Sequence, residues 1–381
     1  MDSSNVDILL PVFNGATTIT EAIESLQRQT FTSFRIIVVD DGSTDRTLEI
    51  LAGLAARDSR ITILTQPNQG TVAALNAGLR LCQAEFVARQ DADDISNPSR
   101  LAVEFDYLRS HTDCVAVSGA AEHIDAQGRA LGTVQSFPQP DRADARWAPS
   151  REPYLMHPFL MVRSADLQAI GGYRYVYYSE DTDLCWRLQE RGKMQNLDMP
   201  LGKYRLHTGS ISSESVINGR IMALSSQLAG LSALRRRTGR ADLRFAKEAI
   251  TEYRNAQTLS KLWELGKRQL DDDEAGYLRI ALAGKLLELA EYRPYEPDTE
   301  DCQFIRDALH EATRLSNANR RHLARLYARA GARLLVNGRF NKAIALTPLW
   351  LFFPMVSRAL LRLLRASTKS LAIRSQRIGR F

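Results

Sequence analysis

Between residues 6 and 90, short apolar runs alternate with stretches of helical periodicity, and that alternation admits few architectures. Residues 6–12, 34–40, 61–65 and 85–90 read as strands, with helices expected at 18–27, 44–56 and 71–83 between them. The second run, FRIIVVD, is continuously apolar and rich in β-branched residues, the pattern of a strand buried on both faces. Strands and helices alternating at this spacing form βαβ units and a mostly parallel sheet. Right-handed crossovers then bring the strand C-terminal ends to one edge, where open α/β sheets bind ligands.

Three polar clusters follow these runs: Pro11-Val12-Phe13-Asn14, Asp40-Asp41-Gly42-Ser43 and Asp91-Ala92-Asp93. In an extended segment residues i and i+2 share a side, so Asp91 and Asp93 present two hard oxygen ligands together. Such a pair suits Mg²⁺ or Mn²⁺ and can hold a cation against a diphosphate. An isolated acidic turn serves equally as a solvated loop or helix cap; the two companion clusters favour a site. Gly42 permits a tight turn after Asp40 and Asp41. One of those carboxylates can accept an N–H from a nucleobase, and one can cap the helix expected from Thr44; both cannot be that cap. Asn68 and Gly70 precede the third helix, whose N-terminus can face phosphates, while Asn76 and Gly78 fall inside it. Glycine in a helix interior costs about 1 kcal/mol relative to alanine, so Gly78 signals close approach of a ligand or tight packing on the sheet. From Ser179 to Gly192, a helix opens with Glu180, Asp181 and Asp183; capping and the helix dipole account for one or two of these acids. The preceding Gly171-Gly172-Tyr173 can shape an acceptor pocket. His207 follows Tyr204-Arg205-Leu206 at a strand end, where a lone histidine gains meaning only from context.

A chain of 381 residues exceeds one ordinary core, which points to two domains. Apolar residues at 44% and charged residues at 25% belong to a soluble globular protein. Cys82, Cys114, Cys185 and Cys302 form neither a CxxC pair nor a zinc cluster, as fits a reducing cytosol. The opening MDSSNVDILLPV carries two acids and no basic region, so it reads as the approach to a strand, not a signal peptide. From about residue 215 the strand signals fade and 3.6-residue periodicity dominates, with the proline-rich 292–299 breaking the helices. The division expected is an α/β domain at 1–214, an all-helical extension at 215–345 and a basic amphipathic tail at 346–381. The net charge of +6 is uneven: residues 341–381 carry eight Lys or Arg and no acid, so the remainder is slightly acidic. This excludes a nucleic-acid footprint spread over the whole protein and favours a local anionic partner.

In order and spacing, LLPVFNG (9–15), VVDDGSTD (38–45), NQGTVAALNAG (68–78), DAD (91–93), HPFLMVRSADLQAIGGY (157–173), SEDTDLCWRL (179–188) and YRLH (204–207) resemble the inverting glycosyltransferases of family 2. The resemblance covers roughly residues 5–210 and is to bacterial enzymes that build lipopolysaccharide, capsule or other surface glycans. It implies a GT-A fold and transfer of a hexosyl group from a nucleotide-sugar, most commonly a UDP-sugar, to a hydroxyl of a glycan or lipid-linked acceptor. It implies Mn²⁺ or Mg²⁺ as cofactor, and a cytoplasmic location or the inner face of the cytoplasmic membrane. By resemblance, Pro11, Val12 and Asn14 belong to the first nucleotide-binding loop, and Asp41, beside Asp40, reads the nucleobase. Asn68, Gly70, Asn76, Asp91 and Ala92 complete the nucleotide-sugar site. Asp93 is the direct metal ligand, His207 assists metal or diphosphate binding, and Asp181 of the Glu180-Asp181 pair is the general base. Two departures matter. Asp94 after the DxD makes the carboxylate register ambiguous by one residue, and Arg89-Gln90 stands where many members carry small or apolar residues, leaving the donor open.

Two other classes compete. A nucleotidyltransferase on a related sheet also uses paired aspartates, but LLPVFNGATT has no Lys or Arg to hold a triphosphate. A non-catalytic scaffold would have no use for the set of DAD, Glu180-Asp181 and His207. In the tail, Arg358, Arg362, Arg365 and Lys369 fall on one helical stripe. The apolar stretch 343–356 is about 14 residues with two prolines, short of the ~20 that span a bilayer. An interfacial helix on anionic lipid fits the pattern, and so does a segment packed on the helical region with a solvated basic end.

Overall fold

The computed structural model describes residues 4–206, 216–292, 295–348 and 351–361. It divides into two compact units. The first comprises Met1–Asp144, Glu152–Ser210 and Phe245–Lys247; the second comprises Ala145–Arg151, Ile211–Arg244 and Glu248–Phe381.

The first unit is built on one mixed sheet of nine strands: β1 (Val6–Val12), β2 (Phe34–Asp40), β3 (Ile61–Thr65), β4 (Phe86–Arg89), β5 (Ile95–Ser96), β6 (Cys114–Ile124), β7 (Ala130–Gln135), β8 (Met161–Arg163) and β9 (Lys193–Arg205). Their order is β3-β2-β1-β4-β8-β6-β9-β5, with β7 paired to β6. Strands β1 to β4 are parallel, joined by α1 (Ile19–Gln27), α2 (Thr47–Ala55) and α3 (Thr71–Leu79). Beyond them β8 runs antiparallel to β4, and β6 antiparallel to β8. The helices α4 (Arg100–Ser110), α5 (Ser164–Ala169) and α6 (Glu180–Gln189) complete the unit.

Successive strand residues point to opposite faces, and both faces are apolar. Leu9, Ile37, Val39 and Val87 pack with Leu75 of α3 and Leu184 and Leu188 of α6. Ile8, Leu10, Ile36 and Val38 pack with Ile19 and Ile23 of α1, Leu51 of α2 and Leu101 of α4. The result is a three-layer sandwich in which burial of the central strands on both sides requires the unbroken apolar runs seen in sequence.

Two helix ends differ from expectation for identifiable reasons. The third helix stops at Leu79, not at 83. Buried Asp7 on β1 accepts from the backbone N–H groups of Gln83 and Ala84 at 2.6 and 2.9 Å, drawing the chain out of the helix and into β4. Asp7 also takes a two-pronged ion pair from Arg35, at 2.9 Å for each bond. The second helix starts at Thr47, because Asp45 turns back to accept from the Thr47 backbone at 3.0 Å. Gly78 lies against the sheet: a Cβ there would sit 2.2 Å from Leu9 and 2.9 Å from Val39, so tight packing is its role.

The second unit is helical: α7 (Val216–Arg237), α8 (Ala249–Asn255), α9 (Leu259–Gly266), α10 (Asp272–Tyr292), α11 (Thr299–Glu311), α12 (Asn317–Val336) and α13 (Phe340–Leu346). Buried Arg220 of α7 holds Asp301 of α11 at 2.9 and 3.0 Å, and Asp298 and Asp301 form a capping box at the start of α11. Among the described residues no helix is long and apolar enough to cross a membrane. All four cysteines are buried and unpaired.

Candidate active site

The C-terminal ends of β1, β2 and β4 carry the three polar clusters in the first unit. The first two are stitched together. Asn14, in a left-handed conformation (φ 52°), accepts from the Thr44 N–H at 2.8 Å, while its own N–H donates to Ser43 Oγ at 2.9 Å. The next two amides, of Gly15 and Ala16, donate to Thr47 Oγ1 at 2.9 Å and Asp45 Oδ2 at 3.1 Å. Val12 accepts from the Asp41 N–H at 2.8 Å, and Pro11 stands opposite Val39 in the β1–β2 ladder.

Asp40 and Asp41 are both buried, and neither caps α2. Asp40 accepts weakly from the Ser43 amide at 3.4 Å. Asp41 organises the loop before α3: its Oδ1 accepts from Gln66 Nε2 at 2.6 Å and the Gln69 N–H at 3.0 Å, and its Oδ2 from the Gly70 N–H at 2.8 Å. A carboxylate offers about four lone-pair sites, so these three bonds leave one on Oδ2. Gly42 (φ +77°) makes this possible, since a Cβ there would lie 2.7 Å from the Asn68 backbone nitrogen. Asn68 and Gly70 are exposed on that loop. Asn76 is placed elsewhere: its amide donates to the Tyr173 carbonyl at 2.8 Å and accepts from the Tyr173 N–H at 2.9 Å. One donor and one acceptor of its amide thus serve the 171–173 loop.

After β4 the chain turns through Asp91, Ala92, Asp93 and Asp94. One carboxylate oxygen from each aspartate lies within 4.8 Å of the others. Asp91 pairs with buried Arg89, yet its side chain stays 31% exposed. Asp94 is buried; its Oδ1 accepts from the Arg205 N–H at 2.8 Å, and its Oδ2 has no hydrogen-bond partner. Burial chiefly, then the charges of Asp91 and Asp93, push the Asp94 carboxyl well above the usual carboxylate range. Asp91 is raised too, by burial against the opposing pull of Arg89, with Asp93 and Asp181 adding to the rise. Three crowded carboxylates, one of them buried with an unpartnered oxygen, make a donor set that a hard divalent cation fits.

The loop is held from behind by groups the motif alone does not reveal. Fully buried Gln90 donates to the carbonyls of Asp91 and Asp94 at 3.1 and 2.9 Å. Arg100 of α4, also fully buried, donates to the Arg89 carbonyl at 2.6 Å, to Gln90 Oε1 at 2.9 Å, to Ser96 Oγ at 3.0 Å and to Glu104 at 3.0 Å. At the end of β9, buried Arg205 donates to the Asp93 carbonyl at 2.7 Å and to Glu21 at 2.5 Å. With the carbonyls tied back, the carboxylates are presented without further ordering.

Glu180 and Asp181 open α6, with Ser179 at the N-cap position making no side-chain cap bond. Both acids are half-buried. Burial, then the neighbouring Asp181 charge, pushes Glu180 up to about 7, and Arg89 and Asp91 act on it as well. Asp181 Oδ1 accepts from the Thr182 N–H at 2.6 Å. The third acid, Asp183, is structural: fully buried, it pairs with Arg187 at 2.8 Å and with Arg174. His157 and Tyr173 join the cluster, with Nε2 and the hydroxyl 2.8 Å apart. Burial, then Arg89, holds His157 well below its ordinary pKa, so the ring is neutral. Asp91, Asp93, Asp94, Glu180 and Asp181 thus share one field with Arg89. His207 lies outside the described residues. His157, Gln90 and Arg100 lack a sequence signature of their own; HPF and GGY were the nearest signals.

The "Glycosyl transferase family 2" family model matches residues 7–171. The putative glycosyltransferase EpsE of Bacillus subtilis is 32% identical over 207 residues, 52% of this chain and 72% of its own length. The amylovoran biosynthesis glycosyltransferase AmsE of Erwinia amylovora is 27% identical over 252 residues, 65% of this chain and 93% of its own. Among solved structures, the mannosyltransferase PcManGT from Pyrobaculum calidifontis, in complex with GDP-Man and Mn²⁺, superposes with a TM-score of 0.51 at 17% identity. That alignment covers 93% of this chain and 87% of the other, a likeness of fold.

Proposed function

The chain belongs to glycosyltransferase family 2, with the GT-A fold, and from that premise we propose an inverting, metal-dependent transfer of a sugar from a nucleotide-sugar to a hydroxyl of a glycan or lipid-linked acceptor. The proposed setting is synthesis of a cell-surface polysaccharide in the cytoplasm; the name of the relative AmsE supports a biosynthetic role.

One observation carries the reading: the three carboxylates of 91–94 converge at the end of β4, and the Asp181 charge acts on Asp91. Asp91, Asp93 and Asp94 would hold Mn²⁺ or Mg²⁺. When bound, such a cation neutralises charge on a diphosphate leaving group. The remaining lone pair on Asp41 Oδ2 suits an imide N–H, which favours uracil and hence a UDP-sugar. Asn14, exposed beside Thr44, and the Asn68–Gly70 loop border the same edge.

In the transfer, the bond from the anomeric carbon to the diphosphate oxygen breaks and that oxygen keeps the electron pair. The acceptor oxygen forms the new bond on the opposite face, inverting the centre, and its proton passes to the Asp181 carboxylate. Glu180, with its raised pKa, adds negative charge beside Asp181 once ionised. Asp181→Asn is the test. General-base catalysis contributes roughly 10²–10⁴-fold, so nucleoside diphosphate release should fall by about that factor with nucleotide affinity unchanged. Normal turnover by this variant would remove Asp181 from the role.

A further inference from the structure

In the second unit, the helical residues 352–361 turn an apolar face outward. Leu351, Met355 and Ala359, spaced four apart, are 4%, 0% and 7% exposed and seat the segment. At 100° per residue Phe353, Leu360 and Leu361, 81%, 57% and 53% exposed, fall on the opposite arc, and Phe352, 48% exposed, flanks the seated face. One turn apart on α13, Phe340 and Ile344 are 61% and 62% exposed. Single exposed apolar residues are ordinary on a protein surface. Six within residues 340–361 are not, and surfaces of this kind mark contact with a partner or a membrane.

We propose that this face docks on an anionic bilayer, with its aromatic and aliphatic side chains at the acyl boundary. Charge identifies the occupant. Residues 341–381 include Lys342, Arg358, Arg362, Arg365, Lys369, Arg374, Arg377 and Arg380, and no acid. Lys342 pairs with Glu296 at 2.8 Å; the other seven, all at or after position 358 in the sequence, give this end of the chain a net positive charge. A second copy of this chain would bring the same excess and repel it. Anionic lipid satisfies both features at once, since the boundary region takes the apolar face and the headgroups take the cations. The apolar stretch is too short to span, so the segment lies on the membrane. The proposal stands on this surface alone; a lipid-linked acceptor would give it a purpose but is not needed for it.

The test is co-sedimentation of the full chain with vesicles of phosphatidylcholine alone and of phosphatidylcholine with phosphatidylglycerol, at physiological salt. Two variants accompany it, Phe352→Ser/Phe353→Ser and Leu360→Gln/Leu361→Gln. Both alter outward-facing side chains and leave Leu351 and Met355 in place, so circular dichroism and UDP binding should match the parent. The parent should pellet with the anionic vesicles and not the neutral ones, and each variant should lose at least about tenfold in partition coefficient. Raising the salt should weaken the parent's binding by screening its cations. The proposal is overturned if the parent stays in the supernatant with anionic vesicles, or if both variants partition within about twofold of it. A dimer of the parent that the variants dissociate, without vesicle binding, would assign the face to a second copy. Intact UDP binding with no vesicle binding would sink the membrane surface while leaving the catalytic reading untouched.

Discussion

Removing Arg100 should unfold the site from behind, and the size of the effect can be worked out. Arg100 and Glu104 are both fully buried and 3.0 Å apart. Burial already pushes the Glu104 carboxyl up to about 7 against the pull of Arg100. Arg100→Met leaves a buried carboxylate without its partner, and breaking a buried pair costs about 3–5 kcal/mol. For a unit of roughly 200 residues each kcal/mol moves Tm by about 2–4 °C, so a fall of roughly 6–20 °C is expected. Arg100→Met/Glu104→Met should recover part of it, because an apolar replacement of the pair itself is often near neutral. The bonds from Arg100 to Gln90, Ser96 and the Arg89 carbonyl stay lost, at about 0.5–1.5 kcal/mol each. There is a pH signature as well. A carboxyl whose folded pKa is raised binds more protons in the native state, so its contribution is full below the unfolded value of about 4.5 and is lost as pH rises through the folded value. Without Arg100 the folded value rises further, so the deficit should be smaller near pH 5 than near pH 8. Urea unfolding of parent, single and double variants at both pH values is the assay. A single variant within about 1 kcal/mol of the parent, or a double variant no more stable than the single, would refute the reasoning.

Asp93→Ala should abolish transfer and the Mn²⁺-dependent rise in Tm with UDP, while the Tm without ligands stays close to the parent's; a thermal-shift series with and without chelator checks both, and undiminished transfer in excess chelator would count against the carboxylate cluster. Asn76→Ala should lower stability by about 1–3 kcal/mol, because it leaves the Tyr173 backbone unpaired, and it should leave nucleotide affinity nearly unchanged when measured below the unfolding range by calorimetry. A large loss of affinity with stability intact would return Asn76 to the nucleotide site.

The parallel half of the sheet was legible because its signal is one-dimensional. FRIIVVD is apolar at every position since β2 is buried on both faces, and β1, β2 and β3 fall where the runs do. What the pattern could not carry were contacts set by distant side chains. Asp7 reads as a polar lapse in a strand, yet it is the group that ends α3 and starts β4. Asn76 reads as a polar residue near a ligand-binding turn, but its partner lies 97 positions away in the 171–173 loop. Asp183 reads as a third candidate acid beside Asp181 and proves to be a doubly paired structural group. In each case one chemical group suits two roles, and only the position of its partner decides between them. Burial follows the same rule, since nothing local to Arg100 or Gln90 shows that both are sealed inside.

That rule also reinterprets the two departures from the family pattern around the DxD. Asp94 Oδ1 is bonded to the Arg205 N–H, which ties the loop to the end of β9, and one oxygen of the same carboxylate lies in the cluster. Arg89 and Gln90 divide a single task. Arg89 supplies the counter-charge that lets Asp91 stay beside Asp93 and Asp94, and Gln90 pins the loop carbonyls that fix where those carboxylates stand. Three acids this close repel one another, and a small residue at position 89 would leave that repulsion to the backbone alone. The side chains flanking the motif are therefore part of the site, and the DxD is the exposed edge of a buried network that runs from Arg205 through Gln90 to Glu104.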